Sequence, residues 1–316
     1  MVVHNIIDIS PLYHRFAYRM RSTGSDIPIM YLVMKEVERM RESVEGRGAD
    51  VITSACFDSP ISFRKMLIAS QDADQYKSGR HSILTQQDFD DIETMKQILA
   101  DTGVNVFCKD GCEADDLMAR LATAYKDDFD LTVLYTPDKD MMINIQDSVG
   151  MRRYVQGTWN SISDRNFSDE ASACFKTLMP YNAIGLYLCT VGDSADHIPG
   201  IHKFGAMAFM KMVKRIYGNV DWESLVNYDN VASLLIKCCE DGIISETQLQ
   251  QAADSYNMVR TIEIDGNDRD TAEVSDNGYG FKKITTGMKL SGVLSTSTAE
   301  KRIAVYTEAG MKSLAK

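Results

Sequence analysis

No run of apolar residues in this 316-residue chain approaches the roughly 20 that a membrane span requires. The amino-terminal "MVVHNIIDIS" also lacks the layout of a signal peptide, so a cytoplasmic location is expected. Cysteine is sparse and irregular: seven residues at 56, 108, 112, 174, 189, 238 and 239, an odd count without a repeating interval. That pattern points to reduced thiols rather than a disulfide framework. With only five histidines and no second CxxC-type pair, Cys108 and Cys112 lack the partners of a zinc site. Neither a P-loop nor a GxGxxG occurs, so a nucleotide-binding reading has no support. Positive charge is short as well, with 34 Lys and Arg against 45 Asp and Glu and a net charge of −11. A uniformly basic surface for nucleic acid is thereby excluded, whereas local basic strips are not. One such strip lies at the carboxyl end, where residues 277–316 carry seven basic residues against two acids, Glu300 and Glu308. The stretch before it, "EIDGNDRDTAEVSD", is acidic and poor in bulky residues and reads as a linker or exposed loop.

What the chain does contain is an alternation of short apolar runs and helical patterns. "HNIIDIS" ends a strand at Asp8, and "ADVITSACFD" ends a second at Asp58. Between them "IPIMYLVMKEVERMRESV" has helical spacing. "TQQDFDDIETMKQILADTG" has a Thr cap and a Gly stop, as a helix should. "VNVF" is a short third strand, and "DLTVLYTPDKD" a fourth that runs into Asp138 and Asp140. Strands alternating with helices define an α/β fold, a mostly parallel sheet flanked by helices. The core is expected over residues 1–175. From about residue 176 to 260 the pattern is helical, interrupted by "GDSADHIPGIHKFG" with Asp193 and Asp196.

In "KDGCEADDLMARLATAY" three carboxylates, Glu113, Asp115 and Asp116, open a helix whose apolar face is Leu117, Met118, Leu121 and Ala122. One acid in a first turn suits the helix dipole; three ask for another reason. In a parallel sheet ligands bind beyond the carboxyl ends of the strands. Asp8, Asp58, Glu113, Asp115, Asp116, Asp138 and Asp140 all fall at or just after such ends, and Asp193 and Asp196 follow in a turn. Taken singly, each has a structural explanation as a cap, a dipole acid or a turn former. Nine together do not. Two like charges about 4 Å apart repel by roughly 4 kcal/mol at an effective dielectric of 20. Hard divalent cations with oxygen ligands relieve that repulsion. "DKDMMINIQDSV" lacks the Gly and closing Glu of an EF-hand, and "DIS" lacks the second Asp of a DxD phosphotransferase motif.

Six ordered blocks carry a family likeness: "NIIDIS", "ITSACFD" with "SFRK", "DQYKSGR", "GCEADDLMARLA", "TPDKDMM" and "GDSADHIPGIHKFG". Over residues 4–215 the chain resembles the 5′-nuclease (flap endonuclease) family, in particular the free-standing bacteriophage 5′-exonucleases and the 5′-nuclease domain of bacterial DNA polymerase I. The resemblance implies a PIN-like core with an arch at about 59–85 and a helical region containing a helix-hairpin-helix. It implies two Mg²⁺ ions, with Mn²⁺ as a substitute. Asp8, Asp58, Glu113 and Asp115 would form one site; Asp138, Asp140, Asp193 and Asp196 the other, with Asp115 able to bridge and Asp116 close by. Tyr76, Lys77 and Arg80 match arch residues that contact the displaced strand and the scissile phosphate, Lys77 and Arg80 acting catalytically. Arg64 and Lys65 open that arch as further nucleic-acid contacts.

"IPGIHKFG" resembles the hairpin that grips a duplex through main-chain amides, often with a bound K⁺. Its usual glycines would fall at 200, 203 and 205; Gly200 and Gly205 are present, but Lys203 stands at the middle position, where a Cβ is costly if φ must be positive. Lys211 and Lys214 would extend the phosphate track. The implied substrates are DNA with 5′ flaps or nicks and RNA/DNA primers, met by a monomer in the host cytoplasm if phage-encoded. Apart from the resemblance, the basic carboxyl end is expected to recruit a replication partner such as single-strand-binding protein. Two rivals keep the fold but change the function: a PIN-type single-strand ribonuclease and a non-catalytic junction-binding protein.

Overall fold

The first strand, β1 (Val2–Asp8), is buried along nearly its whole length, as a strand covered on both faces must be. Its successive side chains enter opposite layers, Ile6 one core and Ile7 the other. The computed structural model describes residues 1–67, 83–267, 270–290, 294–311 and 313–314. In the main sheet β1 is joined by β2 (Asp50–Phe57), β3 (Asn105–Cys108), β4 (Leu131–Thr136), β5 (Val149–Val155) and β6 (Thr158–Ile162). Their order is β3-β2-β1-β4-β5-β6. Every pairing is parallel except that of β5 with β6, an antiparallel hairpin turning at Gln156 and Gly157. The chain leaves β1 for β2 on one side and returns to β4 on the other. The point where strand order reverses therefore lies between β1 and β4.

The helices are α1 (Ile9–Thr23), α2 (Ile29–Glu45), α3 (Gln86–Asp101), α4 (Ala114–Ala124), α5 (Phe167–Phe175), α6 (Ile184–Thr190), α7 (Ala206–Ile216), α8 (Tyr228–Glu240), α9 (Glu246–Val259) and α10 (Ala299–Glu308). Helices α1 to α3 and Tyr306 of α10 pack with Val3, Ile7, Ala55 and Tyr135 on one face. Helices α4 to α9 pack with Ile6, Cys56, Leu134 and Met151 on the other. The expected α/β architecture is thus present. Helix α1 was not foreseen, because it follows Asp8 with no loop. It carries the stripe Leu12, Tyr13, Phe16, Ala17 and Met20 into the core. At α3 the expected cap is realised: Thr85 and Asp88 form a reciprocal capping box.

The stretch expected as an acidic linker is organised. It contributes β7 (Glu263–Asp265) and β8 (Glu273–Asp276), which with β9 (Lys282–Gly287) form a small sheet in the order β7-β9-β8. Strand β8 is exposed throughout, whereas Ile262 and Ile264 are buried. The chain then reaches the edge strand β3, where Ser295 exchanges hydrogen bonds with the Asn105 amide at 2.7 and 3.1 Å. Beyond it, α10 joins a buried polar cluster on α2. Glu38 accepts from Arg41 at 3.2 Å, from the Tyr306 hydroxyl at 2.6 Å and from Arg302 at 3.2 Å. Removing the acid would leave two buried guanidiniums short of a counter-charge, which typically costs about 3–5 kcal/mol. Glu38→Gln is expected to destabilise the protein by at least about 2 kcal/mol in urea unfolding, because the amide retains acceptance but not charge.

Candidate metal centre

Strand register sets the geometry. Asp8 is the last residue of β1 and lies opposite Cys56, so Asp58 emerges just beyond the end of β2. Thr136 ends β4 and donates its hydroxyl to Asp8 Oδ2 at 3.0 Å. Pro137 follows, and Asp138 accepts the Asp140 amide at 2.9 Å as the chain enters a short 3₁₀ turn, Asp140–Asn144. Glu113 caps α4 and Asp115 sits in its first turn. Asp58 Oδ1 accepts the Ala114 amide at 2.8 Å, tying the end of β2 to the start of α4. Asp193 and Asp196 arrive from the turn between α6 and α7, where Asp193 pairs with Ile198 in an isolated bridge. Eight of the nine expected acids line one cleft of about 890 Å³: Asp8, Asp58, Glu113, Asp115, Asp138, Asp140, Asp193 and Asp196.

The crowding has electrostatic consequences. Burial, then Asp58, raises the Asp8 carboxyl well above its usual range, with the Thr136 hydrogen bond opposing. Burial, then Asp138, does the same to Asp140, with Lys139 opposing. Among the described residues the buried Oδ1 atoms of Asp8 and Asp140 have no hydrogen-bond partner. Oxygens of Asp140, Asp193 and Asp196 lie within 4.8 Å of one another, close enough to share a cation. Partnerless hard oxygens in an acidic cleft fit divalent cations such as Mg²⁺.

Two cationic side chains that the sequence reading passed over also line this cleft, Lys139 and Arg153. Lys139 donates to Asp193 Oδ2 at 2.6 Å. Burial alone would lower its pKa, but the Asp193 bond and the neighbouring Asp140 outweigh burial and raise it. The "PDKD" stretch displayed this lysine; Arg153 was hidden because it lies on β5, a strand whose arginines blur the apolar pattern.

Asp116 is the expected ligand that stays out of the cleft. It is fully buried beneath Arg64, whose guanidinium lies 2.7 Å from Asp116 and within 3.3 Å of Glu113 and Asp115. Burial pushes the Asp116 carboxyl up to about 7, with Arg64 opposing. The sequence reading expected Arg64 at the nucleic acid, yet the residue is only 3 % exposed and its guanidinium faces these acids. Gly111 makes the arrangement possible: its φ is +79°, and a Cβ there would fall 2.2 Å from the Phe63 ring. Phe63 donates its amide to Gly111 at 2.8 Å, docking the loop after β2 against the start of α4. Lys65 lies in the adjoining 3₁₀ turn, Phe63–Met66, while Tyr76, Lys77 and Arg80 lie outside the described residues.

The turn 198–205 continues directly from the wall of the cleft into α7. Gly200 has φ +64°, and a Cβ there would meet the Val191 backbone at 2.4 Å. Lys203 also adopts the left-handed region, with φ +58°, whereas Gly205 is extended. The amides of Gly200 and His202 donate to Ser255 and Gln251 of α9 at 2.9 and 3.0 Å. Lys211 and Lys214 stand on α7 beside an apolar groove with Met207 and Tyr217.

A sheet whose strand-order reversal opens on a carboxylate-lined cleft defines an α/β protein with a candidate site for divalent cations. The N-terminal, resolvase-like domain of 5′-3′ exonucleases matches residues 4–172, more than half of the chain, and the chain belongs to that family. It is 28 % identical over 146 residues to a 5′-3′ exonuclease of Mycoplasma genitalium, covering 46 % of this chain and 48 % of that protein. It is 28 % identical over 199 residues to DNA polymerase I of Borreliella burgdorferi, covering 60 % of this chain and 20 % of the polymerase. The matches thus span about half the length of the curated exonucleases, or less. In fold it is similar to the flap endonuclease of bacteriophage T5, solved as a pseudo-enzyme–product complex with DNA and metal ions. That likeness has a TM-score of 0.52 and 16 % identity, covering 81 % of this chain and 99 % of the phage protein.

The electrostatics of Asp140 give a test that needs no substrate. Its folded-state pKa is raised above the ordinary 3.8, so folding favours the protonated form. The cost is absent below the unfolded value, grows as pH rises through the folded one, and is complete above it. Asp140→Asn is expected to stabilise EDTA-treated protein by about 1 kcal/mol at pH 8, with the gain vanishing toward pH 4. Urea unfolding at the two pH values reads it directly.

Proposed function

We propose that this protein is a divalent-metal-dependent, structure-specific 5′-nuclease that hydrolyses phosphodiester bonds at duplex–single-strand junctions in DNA or RNA/DNA primers. The observation that carries the reading is the cleft. Five separate chain segments bring eight carboxylates together, two of them with buried oxygens that lack a partner among the described residues. Membership of the 5′-3′ exonuclease family supports it, as does the likeness to a flap endonuclease solved with DNA and metal ions. One Mg²⁺ is assigned to Asp8, Asp58, Glu113 and Asp115, and a second to Asp138, Asp140, Asp193 and Asp196; Mn²⁺ substitutes. Divalent ions held there would neutralise the cleft and would supply Lewis-acid chemistry to phosphodiester hydrolysis.

The remaining chemistry belongs to the side chains. Thr136 orients Asp8, and the Ala114 amide orients Asp58. Lys77 and Arg80 are assigned to the charge that develops on the phosphoryl oxygens, and Tyr76 to stacking on a base of the displaced strand. Hydrolysis leaves a 5′-phosphate on the product. The hairpin turn is assigned to the duplex. With the Gly200 and His202 amides engaged by α9, the Lys203 side chain and the first turn of α7 are its means of holding a phosphate.

Cleavage of a 5′-labelled flap, a nicked duplex and single-stranded RNA, each with Mg²⁺ or EDTA, tests the assignment. Flap and nick cleavage abolished by EDTA is expected; preferential cutting of the RNA selects a single-strand ribonuclease instead. Asp193→Asn is expected to lower turnover at least 100-fold while junction binding in Ca²⁺ is retained, and an unchanged rate would remove Asp193 from the metal site. At the hairpin, Lys203→Gly relieves a left-handed Cβ and deletes a cation. Stability should stay within about 1 kcal/mol of the parent, while the slope of log affinity against log salt falls by about 0.9.

A further inference from the structure

Of the three acids that open α4, only Glu113 and Asp115 face the cleft, and the third has a different set of partners. Asp116 is wholly enclosed, and its two oxygens are reached from three directions. Arg64 approaches at 2.7 Å, the Glu113 amide donates at 2.9 Å, and the Ile262 amide donates at 2.7 Å from a point 146 residues away in the chain. The same guanidinium spans to Glu113 at 3.3 Å and Asp115 at 3.2 Å. Three segments therefore converge under the first turn of α4: the loop after β2, the turn itself, and the entry to β7.

A guanidinium so enclosed is not placed to meet a phosphate at the surface. It is placed to oppose the mutual repulsion of Glu113 and Asp115, and its planar fork fixes direction as well as charge. Such outer partners of metal ligands typically set affinity by 10–100-fold. We infer that Asp116 and Arg64 are positioning residues. Their ion pair, closed by the Ile262 amide, holds Glu113 and Asp115 in the orientation that binds a divalent cation, and so makes the small carboxyl-terminal sheet part of the framework of the cleft. This rests on the nuclease reading above and adds to it a role for the segment beginning at Ile262.

The test is Mn²⁺ affinity of the full chain, measured by calorimetry and by the electron paramagnetic resonance of the free ion, beside steady-state cleavage of a flap. Asp116→Asn and Arg64→Met are expected to weaken Mn²⁺ binding by about 10–100-fold. They should lower kcat without raising KM and leave duplex affinity in EDTA unchanged. Arg64→Lys should recover part of the Mn²⁺ affinity, since it restores charge without the fork. Ile262→Pro, which deletes the third donor, should weaken it less than either. Melting in EDTA identifies any variant that fails to fold. For such a variant the double change Arg64→Met/Asp116→Asn, which leaves no unpaired charge between the two, takes its place and should be no worse than the poorer single variant.

A folded Asp116→Asn with parental Mn²⁺ affinity overturns the inference. So does an Arg64→Met that loses duplex affinity in EDTA while binding Mn²⁺ normally, which would make Arg64 a phosphate contact. A parent chain that neither binds Mn²⁺ nor cleaves overturns the nuclease reading instead.

Discussion

Like-charge repulsion in a partly dry cleft is the constraint around which this molecule is organised. Two carboxylates about 4 Å apart cost roughly 4 kcal/mol even at a dielectric of 20, and here eight line one space. The fold meets part of that cost itself. Backbone amides of Ala114 and Asp140 donate into the cluster, Thr136 adds a hydroxyl, and Lys139 adds a positive charge. The residue is visible in Asp8 and Asp140, each holding a buried oxygen that no described group satisfies. Those two oxygens mark where the fold leaves the repulsion uncompensated by the described groups.

Much of that cleft could be read from the chain because sheet topology converts sequence order into position. Each acid at the end of an apolar run in a parallel sheet must emerge at the same rim, so Asp8, Asp58 and Asp138 needed no tertiary knowledge. Asp116 was beyond such reading. It is adjacent to Asp115 and three residues from Glu113, and that spacing cannot say which acid faces outward. What holds it inward is Arg64, the Glu113 amide and the Ile262 amide, and the last of these nothing local marks. Helix α1 was missed for a different reason, since no turn residue separates Asp8 from Ile9. The hairpin of β5 and β6 was missed because Arg152 and Arg153 dilute the alternation, and because its turn is Gln156-Gly157 rather than a strong turn pair. The small sheet was hidden by its composition, as β8 is charged and exposed and only Ile262 and Ile264 anchor β7.

Two of the left-handed positions after Asp196, Gly200 and Lys203, show how similar backbone demands can be met differently. At Gly200 the neighbouring Val191 backbone leaves no room for a side chain, so glycine is required. At Lys203 the same region of φ is occupied by a residue with a Cβ, and the strain is tolerated in exchange for a cation beside the start of α7. At Gly111 steric exclusion again decides, and there the consequence is felt beneath α4, because the Phe63 contact sets the approach of Arg64.

The cluster around Glu38 bears on the order in which the molecule assembles. Helix α2 is made early, yet its buried Glu38 and Arg41 are completed by Arg302 and Tyr306, synthesised more than 250 residues later. While the chain is being made, that face of the sheet must keep a half-matched ionic pair either hydrated or loosely packed. Closure of this polar cluster therefore waits on α10, and the layer that holds α2 stays incomplete until that helix docks.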